Sequence, residues 1–205
     1  MNEEFWNERY AQDEYIYGEE PNEYLRKKLS ILSPGKILFP ADGEGRNSVY
    51  AALKGWDSEA FDISIEGKIK AELLAQEKET RIYYTVSDVE HIEYPKSSFD
   101  ALALIYAHFP LSDRSSYHQK LSAFVKKDGF LILEAFSKSH TKFQKVDPQV
   151  GGPKDPEMLY HLDDIISDFP DFEFKEAIEE KIQLNEGNHH KGTASVIRVF
   201  AKKIT

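Results

Sequence analysis

The stretch ILFPADGEGRNSVYAALKGWDSEAFDIS, Ile37 to Ser64, decides the fold. An apolar run over Lys36–Ala41 reads as a strand and enters a loop of Asp, Gly and Glu. Arg46 to Lys54 is helical in pattern, and Gly55 suits the left-handed residue that closes a helix. A second strand, Asp57 to Asp62, ends on an acid. Two parallel strands joined by a helix place any ligand at the strands' carboxyl ends.

The alternation continues outward from this unit. Ile65–Glu77 reads as a helix, Arg81–Val86 as a strand, Phe99–Tyr106 as a strand and Leu111–Lys126 as a helix. Gly129–Phe136 reads as a fifth strand, Asp155–Phe169 as a helix, and Glu173–Glu180 with Ala194–Lys202 as a hairpin-like finish. The run Ala-Leu-Ala-Leu-Ile at 101–105 is apolar throughout, as a strand covered on both faces requires. On the N-terminal side, Trp6–Tyr10 suits a short helix and Tyr17–Asn22 a turn. A helix near Asn22–Ser30 carries Leu25 and Leu29 on one face, and Ser33-Pro34-Gly35 stops it. The pattern predicts an α/β chain with an open, mostly parallel sheet, helices on both faces and an antiparallel hairpin at the C-terminal end.

Composition narrows the function. The 205 residues contain no cysteine, which excludes disulfides, thiolate metal sites and cysteine nucleophiles. A net charge of -10 repels a polyanion, so no nucleic-acid partner is expected. No apolar run reaches the ~20 residues that span a bilayer, and Met1-Asn2-Glu3-Glu4 lacks a signal-peptide pattern. No membrane association and a cytoplasmic location are expected. Oligomeric state is not written in the sequence.

The loop Ala41-Asp42-Gly43-Glu44-Gly45-Arg46-Asn47-Ser48 has two readings. A dinucleotide loop would place Ser48 at the third glycine and Asp62 on a ribose hydroxyl, giving an NAD-dependent oxidoreductase. Pyrophosphate, however, wants bare N–H groups at a helix start, and Asp42 and Glu44 would repel it. S-adenosylmethionine has a sulfonium, an ammonium and one carboxylate, and suits an acidic loop better. Its ribose still wants an acid at the end of the second strand, which Asp62 supplies.

At this point the chain resembles class I S-adenosylmethionine-dependent methyltransferases, closest to the tellurite-resistance and thiopurine methyltransferase branch. ILFPADGEGRNSVYAA resembles the first motif and FDIS, at Phe61–Ser64, the second. SDVEHIEYPKSSFDALALIYAHF, at Ser87–Phe109, is similar to the third and fourth, and LSAFVKKDGFLILEAFSK to the last helix and fifth strand. FWNERYAQDEYIYGEEPNEYL is similar to the branch's N-terminal cap. GGPKDPEMLYHLDDI and NEGNHHKGTASVIRVFAKK are similar to bacterial relatives. The resemblance covers nearly the whole chain in order. It implies a Rossmann-like fold with a seven-stranded sheet, residues 1–205 forming one methyltransferase domain, 1–30 a cap or lid and 36–205 the core. The implied partner is a small-molecule methyl acceptor, a thiol or chalcogen oxyanion being compatible. A non-catalytic protein that binds S-adenosylmethionine or S-adenosylhomocysteine on the same fold is the alternative.

Site residues follow from the resemblance. Cofactor contacts are expected from Ala41, Asp42, Gly43, Glu44, Gly45 and Asn47, from Asp62 and Ile63, and from Asp88 and Val89. Tyr106 and the N-terminal Tyr10, Tyr17 and Gly18 complete the set, with Trp6 a further lid aromatic. Catalytic candidates are His108, His190 and Tyr17, and His190 falls in a Glu186-Gly187-x-x-His190 pattern expected near the acceptor. Each has a plainer reading: a tight turn for the glycines, a helix cap for Asp62, a turn for Asp88, packing for the aromatics and a hydrogen-bonded structural role for His108. The family has an acid where Phe39 stands and Gly where Ala41 stands; the acid's orienting task is left open, with Asp42 as the candidate. No metal is expected, because His189 and His190 point to opposite faces of a strand.

Overall fold

The structure is a computed structural model that describes residues 2–187 and 189–205; Met1 and Asn188, which falls in the hairpin pattern quoted above, lie outside the described residues. Seven strands form one sheet in the order β3-β2-β1-β4-β5-β7-β6. Strands β1 (Lys36–Pro40), β2 (Asp57–Asp62), β3 (Tyr83–Val86), β4 (Phe99–Ile105) and β5 (Val125–Phe136) are mutually parallel. Strands β6 (Phe172–Glu186) and β7 (His190–Lys203) form the antiparallel hairpin, β7 inserting beside β5.

Alternate residues of each central strand feed opposite faces. Leu38, Leu102, Leu104, Leu131 and Leu133 pack with Leu121 from α5 (Arg114–Ala123), Ile165 from α7 (Leu162–Asp168) and Phe169 just past it. Ile37, Phe39, Ala101, Ala103 and Ile132 pack with Leu25, Val49 and Leu74 from α2 (Glu23–Leu29), α3 (Arg46–Leu53) and α4 (Ile65–Glu77). This double coverage is why the β4 run carries no polar alternation. Gly55 sits at φ +87°, just past α3, as its capping role requires.

Several boundaries differ from the sequence pattern: the hairpin strands run longer than expected, and two helices are shorter. The expected helix to Lys126 ends at Ala123, because Val125 leaves it to pair with Phe99 and open β5 through an irregular register. The expected helix from Asp155 begins only at Leu162. Pro156 instead starts a single turn capped by Asp155, and Tyr160 bridges to Ser137. Residues 138–150, unread in the sequence, form short helical turns including α6 (Thr141–Gln144). Helix α1 (Glu3–Tyr10) is capped by Asn2 and contacts α4. No helix of the described residues is long and apolar enough to cross a membrane.

Candidate functional site

The chain runs outward from β1 to β2 and β3, then returns to place β4 on the other side of β1. The crevice where strand order reverses therefore lies between the loops after β1 and β4. Around it gather Ala41–Gly45, Asp62–Ser64 and Tyr106–His108.

Asp62 ends β2 and is 6% exposed. Its Oδ2 accepts from Gly43 N–H at 3.0 Å and its Oδ1 from Ser64 N–H at 2.9 Å. A carboxylate offers about four lone-pair positions, so one on each oxygen remains for a ligand. Burial raises its pKa to about 6, against the pull of those N–H groups. The rival capping role falls to Ser64, whose hydroxyl oxygen accepts from Gly67 N–H at 3.0 Å. Asp42 has a buried Oδ2 without a hydrogen-bond partner, and burial raises its pKa to about 7. Ala41 is exposed and adopts φ +52°, a left-handed geometry that costs a side chain and favours glycine.

The glycines are conformationally required. Gly43, at φ +59°, packs so closely under the N-terminal segment that a Cβ there would lie 2.5 Å from the Tyr10 hydroxyl. Gly45, at φ +85°, lies against α4, where a Cβ would meet the Ala71 Cβ at 2.4 Å.

Glu44 holds the N-terminal segment instead of facing a ligand. Its carboxylate accepts from Ile16 N–H at 2.9 Å and pairs with Lys70 Nζ at 2.7 Å. Lys70 also donates to the carbonyls of Gln12 and Glu14. Asn7 Oδ1 accepts from the Ser64 hydroxyl, and Tyr10, buried, stacks on Trp6 with ring centroids 5.3 Å apart. Residues 7–16 thus form a strap across the loop. Asn47 is committed in the same way, its Oδ1 accepting from Asn22 N–H at 3.0 Å. The side-chain oxygens of Glu44 and Asn47, both expected among the cofactor contacts, here fasten the N-terminal segment.

On the β4 side, Tyr106 takes φ +54° and donates its hydroxyl to Glu134 at 2.7 Å. Its ring stacks on Phe136 and meets the His190 ring edge-on at 4.7 Å. Tyr17 covers His190 at 4.6 Å between centroids and accepts a hydrogen bond from Arg9. Glu186 Oε2 lies 3.2 Å from His190 Nδ1 and 2.9 Å from Arg46 Nη2. Burial would raise the Glu186 pKa, but Arg46 and His190 overrule it and hold it at about 2. Asn22 bridges the two carboxylates, donating to buried Glu134 at 2.7 Å and partly buried Glu186 at 3.1 Å. Arg198 closes the network on Glu134 and Glu180. Gly18, at φ +72°, sits against Gly187, where a Cβ would lie 2.4 Å from Ile16 O.

His108, a catalytic candidate from the sequence, is held at both ring nitrogens. Its Nδ1 lies 2.7 Å from Met158 O, which only a protonated nitrogen satisfies, and its Nε2 accepts from Phe136 N–H. Burial lowers its pKa to about 4, so both ring nitrogens serve as structural pins. Asp88 accepts from the His91 N–H at 2.8 Å and faces its ring, the plain turn geometry, while Val89 is buried in the core. Ile63 is partly exposed beside Asp62. Among the described residues no group of three His, Asp or Glu comes together to hold a metal.

The motifs did not single out Glu134, Asn22, Arg46 or Lys70. Glu134 had a signal, a lone acid inside the apolar run Leu131–Phe136. Lys70 had none, because a lysine on a helix ordinarily faces water.

The methyltransferase-domain family model matches residues 40–133. The ubiquinone/menaquinone biosynthesis C-methyltransferase UbiE of Geotalea daltonii is 24% identical over 189 residues, spanning 85% of this chain and 80% of its own. TehB of Haemophilus influenzae superposes with a TM-score of 0.71 at 17% identity, covering 98% of this chain and 66% of TehB. Magnesium protoporphyrin IX methyltransferase (ChlM) of Synechocystis PCC 6803, solved with bound S-adenosylhomocysteine, gives 0.69 at 15% identity, covering 98% and 97%. At these identities the structural likenesses show the fold. The oxidoreductase reading gives way to the family match. Residues 40–133 thus match a methyltransferase domain, of the kind that takes S-adenosylmethionine as its cofactor.

Proposed function

We propose that the protein transfers the methyl group of S-adenosylmethionine to a small-molecule acceptor, residues 1–205 working as one cytoplasmic domain with 1–30 as its cap. The observation that carries this reading is Asp62: a buried carboxylate at the end of β2, fixed by Gly43 and Ser64 N–H groups, with one lone pair on each oxygen left over. A ribose diol fits that vacancy. The loop backbone at Ala41, Gly43 and Gly45 would receive the methionine end, and Ile63, Asp88 and Val89 the adenine.

When bound, S-adenosylmethionine supplies a methyl group activated by its sulfonium for in-line displacement by the acceptor. The strap carrying Tyr10, and the Tyr17–Gly18 turn, exclude water from that step. Tyr17, Tyr106 and Phe136 surround His190 with aromatic faces, which also attract a cation. Glu186 orients His190 by accepting a hydrogen bond from its Nδ1–H, so that Nε2 is the accepting nitrogen. Burial keeps this ring neutral at pH 7, against the pull of Glu186. A thiol or chalcogen oxyanion needs little more help from a base, which favours an acceptor of that kind in the tellurite-resistance manner.

The reading is tested by incubating the protein with S-adenosylmethionine labelled in the methyl group and a panel of thiols and chalcogen oxyanions. Label recovered on an acceptor supports it. The engagement of both His108 nitrogens also favours the non-catalytic alternative, which predicts binding of S-adenosylhomocysteine with no label transferred to any acceptor class.

A further inference from the structure

His190 and Arg46 use the same atom. Glu186 Oε2 lies 3.2 Å from His190 Nδ1 and 2.9 Å from Arg46 Nη2. One of these two donors is always charged, because a guanidinium keeps its proton in proteins. The carboxylate is therefore answered by Arg46, and what it offers His190 is a hydrogen bond. A carboxylate that faces an imidazole alone favours the imidazolium. Here burial first, then Arg46 and His189, push the His190 pKa below its ordinary value against the pull of Glu186.

Arg46 is itself well anchored. It is 7% exposed and opens α3 directly after Gly45, whose φ of +85° and close approach to Ala71 set the start of that helix. Its Nη1 donates to the carbonyls of Tyr17 at 3.4 Å and Glu20 at 3.3 Å. One guanidinium thus joins the glycine loop, the N-terminal turn and β6.

We propose that Arg46 is a positioning residue for methyl transfer: by sharing the Glu186 oxygen with His190 it fixes the Nδ1–H tautomer and keeps the ring neutral, leaving Nε2 free to take the acceptor's proton. The inference rests on His190 facing the acceptor, as in the reading above. The acceptor's lone pair forms the new bond to the methyl carbon. The carbon–sulfur bond breaks, its electron pair returns to sulfur, and the proton shed by the acceptor passes to Nε2. A ring already protonated has no lone pair for that proton.

The surroundings of the ring set the sign. Glu186 on β6 and Arg46 on α3 face it, with His189 beside it in the chain. Tyr17 and Tyr106 cover it with neutral phenols, and His108 and His140 lie across the Phe136 ring. Burial holds His108, His140 and His189 below the ordinary histidine value, so Glu186 and Arg46 are the full charges here at pH 7. Removing Arg46 leaves Glu186 to draw a proton onto His190.

Nitrogen-15 NMR of histidine-labelled protein reads this directly, with His190 assigned by its absence in His190→Gln. In the wild type at pH 7 the ring is neutral and protonated at Nδ1. In Arg46→Gln it titrates about one pH unit higher or more, and the acid limb of labelled methyl transfer moves with it. Arg46→Lys keeps the charge and holds the titration near that of the wild type. Arg46→Gln combined with Glu186→Gln removes both charges and restores the neutral ring. A titration that Arg46→Gln leaves in place overturns the inference, whether or not methyl transfer is observed. Should Arg46→Gln not fold, the wild-type spectrum still decides: a neutral ring protonated at Nδ1 sustains the inference, and an imidazolium or a proton on Nε2 at pH 7 overturns it. Wild type that transfers no label to any acceptor overturns the proposed function and the role in transfer with it, and the titrations then still report whether Arg46 governs His190.

Discussion

The two halves of the crevice handle their polar groups in opposite ways. On the β1–β2 side, Asp62 keeps spare lone pairs and Asp42 keeps an unpartnered oxygen. On the β4–hairpin side the polar groups answer one another: Tyr106 to Glu134, Glu134 to Arg198, Asn22 to both acids, Glu186 to Arg46 and His190. Spare capacity marks where a ligand is read, and internal satisfaction marks where a surface is preorganised. On the proposed function the first side would hold the cofactor by hydrogen bonds. The second builds an aromatic wall on an ionic frame, to which the N-terminal segment contributes Asn22 and Tyr17.

The contrast breaks most visibly at Glu134, 1% exposed. Glu134→Ala leaves Arg198 without its innermost partner and Tyr106 and Asn22 without acceptors. A loss of about 3–5 kcal/mol is expected, as for other broken buried pairs, measured by urea denaturation; a loss near zero would mean the frame carries no weight. Asp62→Ala should cost less, about 1–3 kcal/mol, for the two N–H groups it orphans, and should also abolish the melting-temperature rise with S-adenosylhomocysteine. Retention of that rise would remove Asp62 from the site.

The pH response of Asp42 comes next. A carboxyl whose folded pKa is raised above its unfolded value binds more protons folded, so stability falls as pH climbs between the two. Asp42 moves from 3.8 to about 7. Asp42→Asn should therefore raise the melting temperature of the ligand-free protein at pH 8 and have little effect at pH 4. Equal effects at both would mean that the carboxyl is not strained by burial. His108 works the other way: its folded pKa of about 4 lies below the ordinary 6.5, so its contribution is lost as pH falls from 6.5 toward 4. Smallest of all is Ala41→Gly. Relief of the left-handed strain, worth about 1 kcal/mol, is partly offset by the greater freedom of the unfolded glycine. Scanning calorimetry should show a change of at most a few degrees, and a large destabilisation would mean that the Ala41 methyl packs on something essential.

The same asymmetry governs what could be read from the chain. The cofactor side is written locally: an apolar strand, two glycines that the backbone requires, a second strand stopping on Asp62 and a cap in Ser64. Neighbours in sequence are neighbours in space there, so pattern suffices. The frame on the other side joins residues 22, 46, 106, 134, 186 and 198, which four different elements, a helix cap and a turn carry. No local period records such a meeting. Glu44 and Asn47 show the cost of reading a loop alone, since their partners, Ile16 and Asn22, come from a segment some thirty residues upstream. His108 was named by its place after β4, but Met158 and Phe136, which fix both its nitrogens, could not be seen from that place. The helix ends failed for the same reason: Val125 follows Phe99, a pairing across the sheet, and not the helical pattern behind it.

The measurement that bears most directly on the central claim is a thermal-shift titration with S-adenosylhomocysteine on wild type and Asp62→Ala, each read against its own ligand-free melting temperature. A ligand that binds only the folded state raises that temperature by mass action. The expected result is a concentration-dependent rise in the wild type and none in Asp62→Ala. No rise in the wild type, or an equal rise in both, would mean that the carboxyl end of β2 does not hold the cofactor.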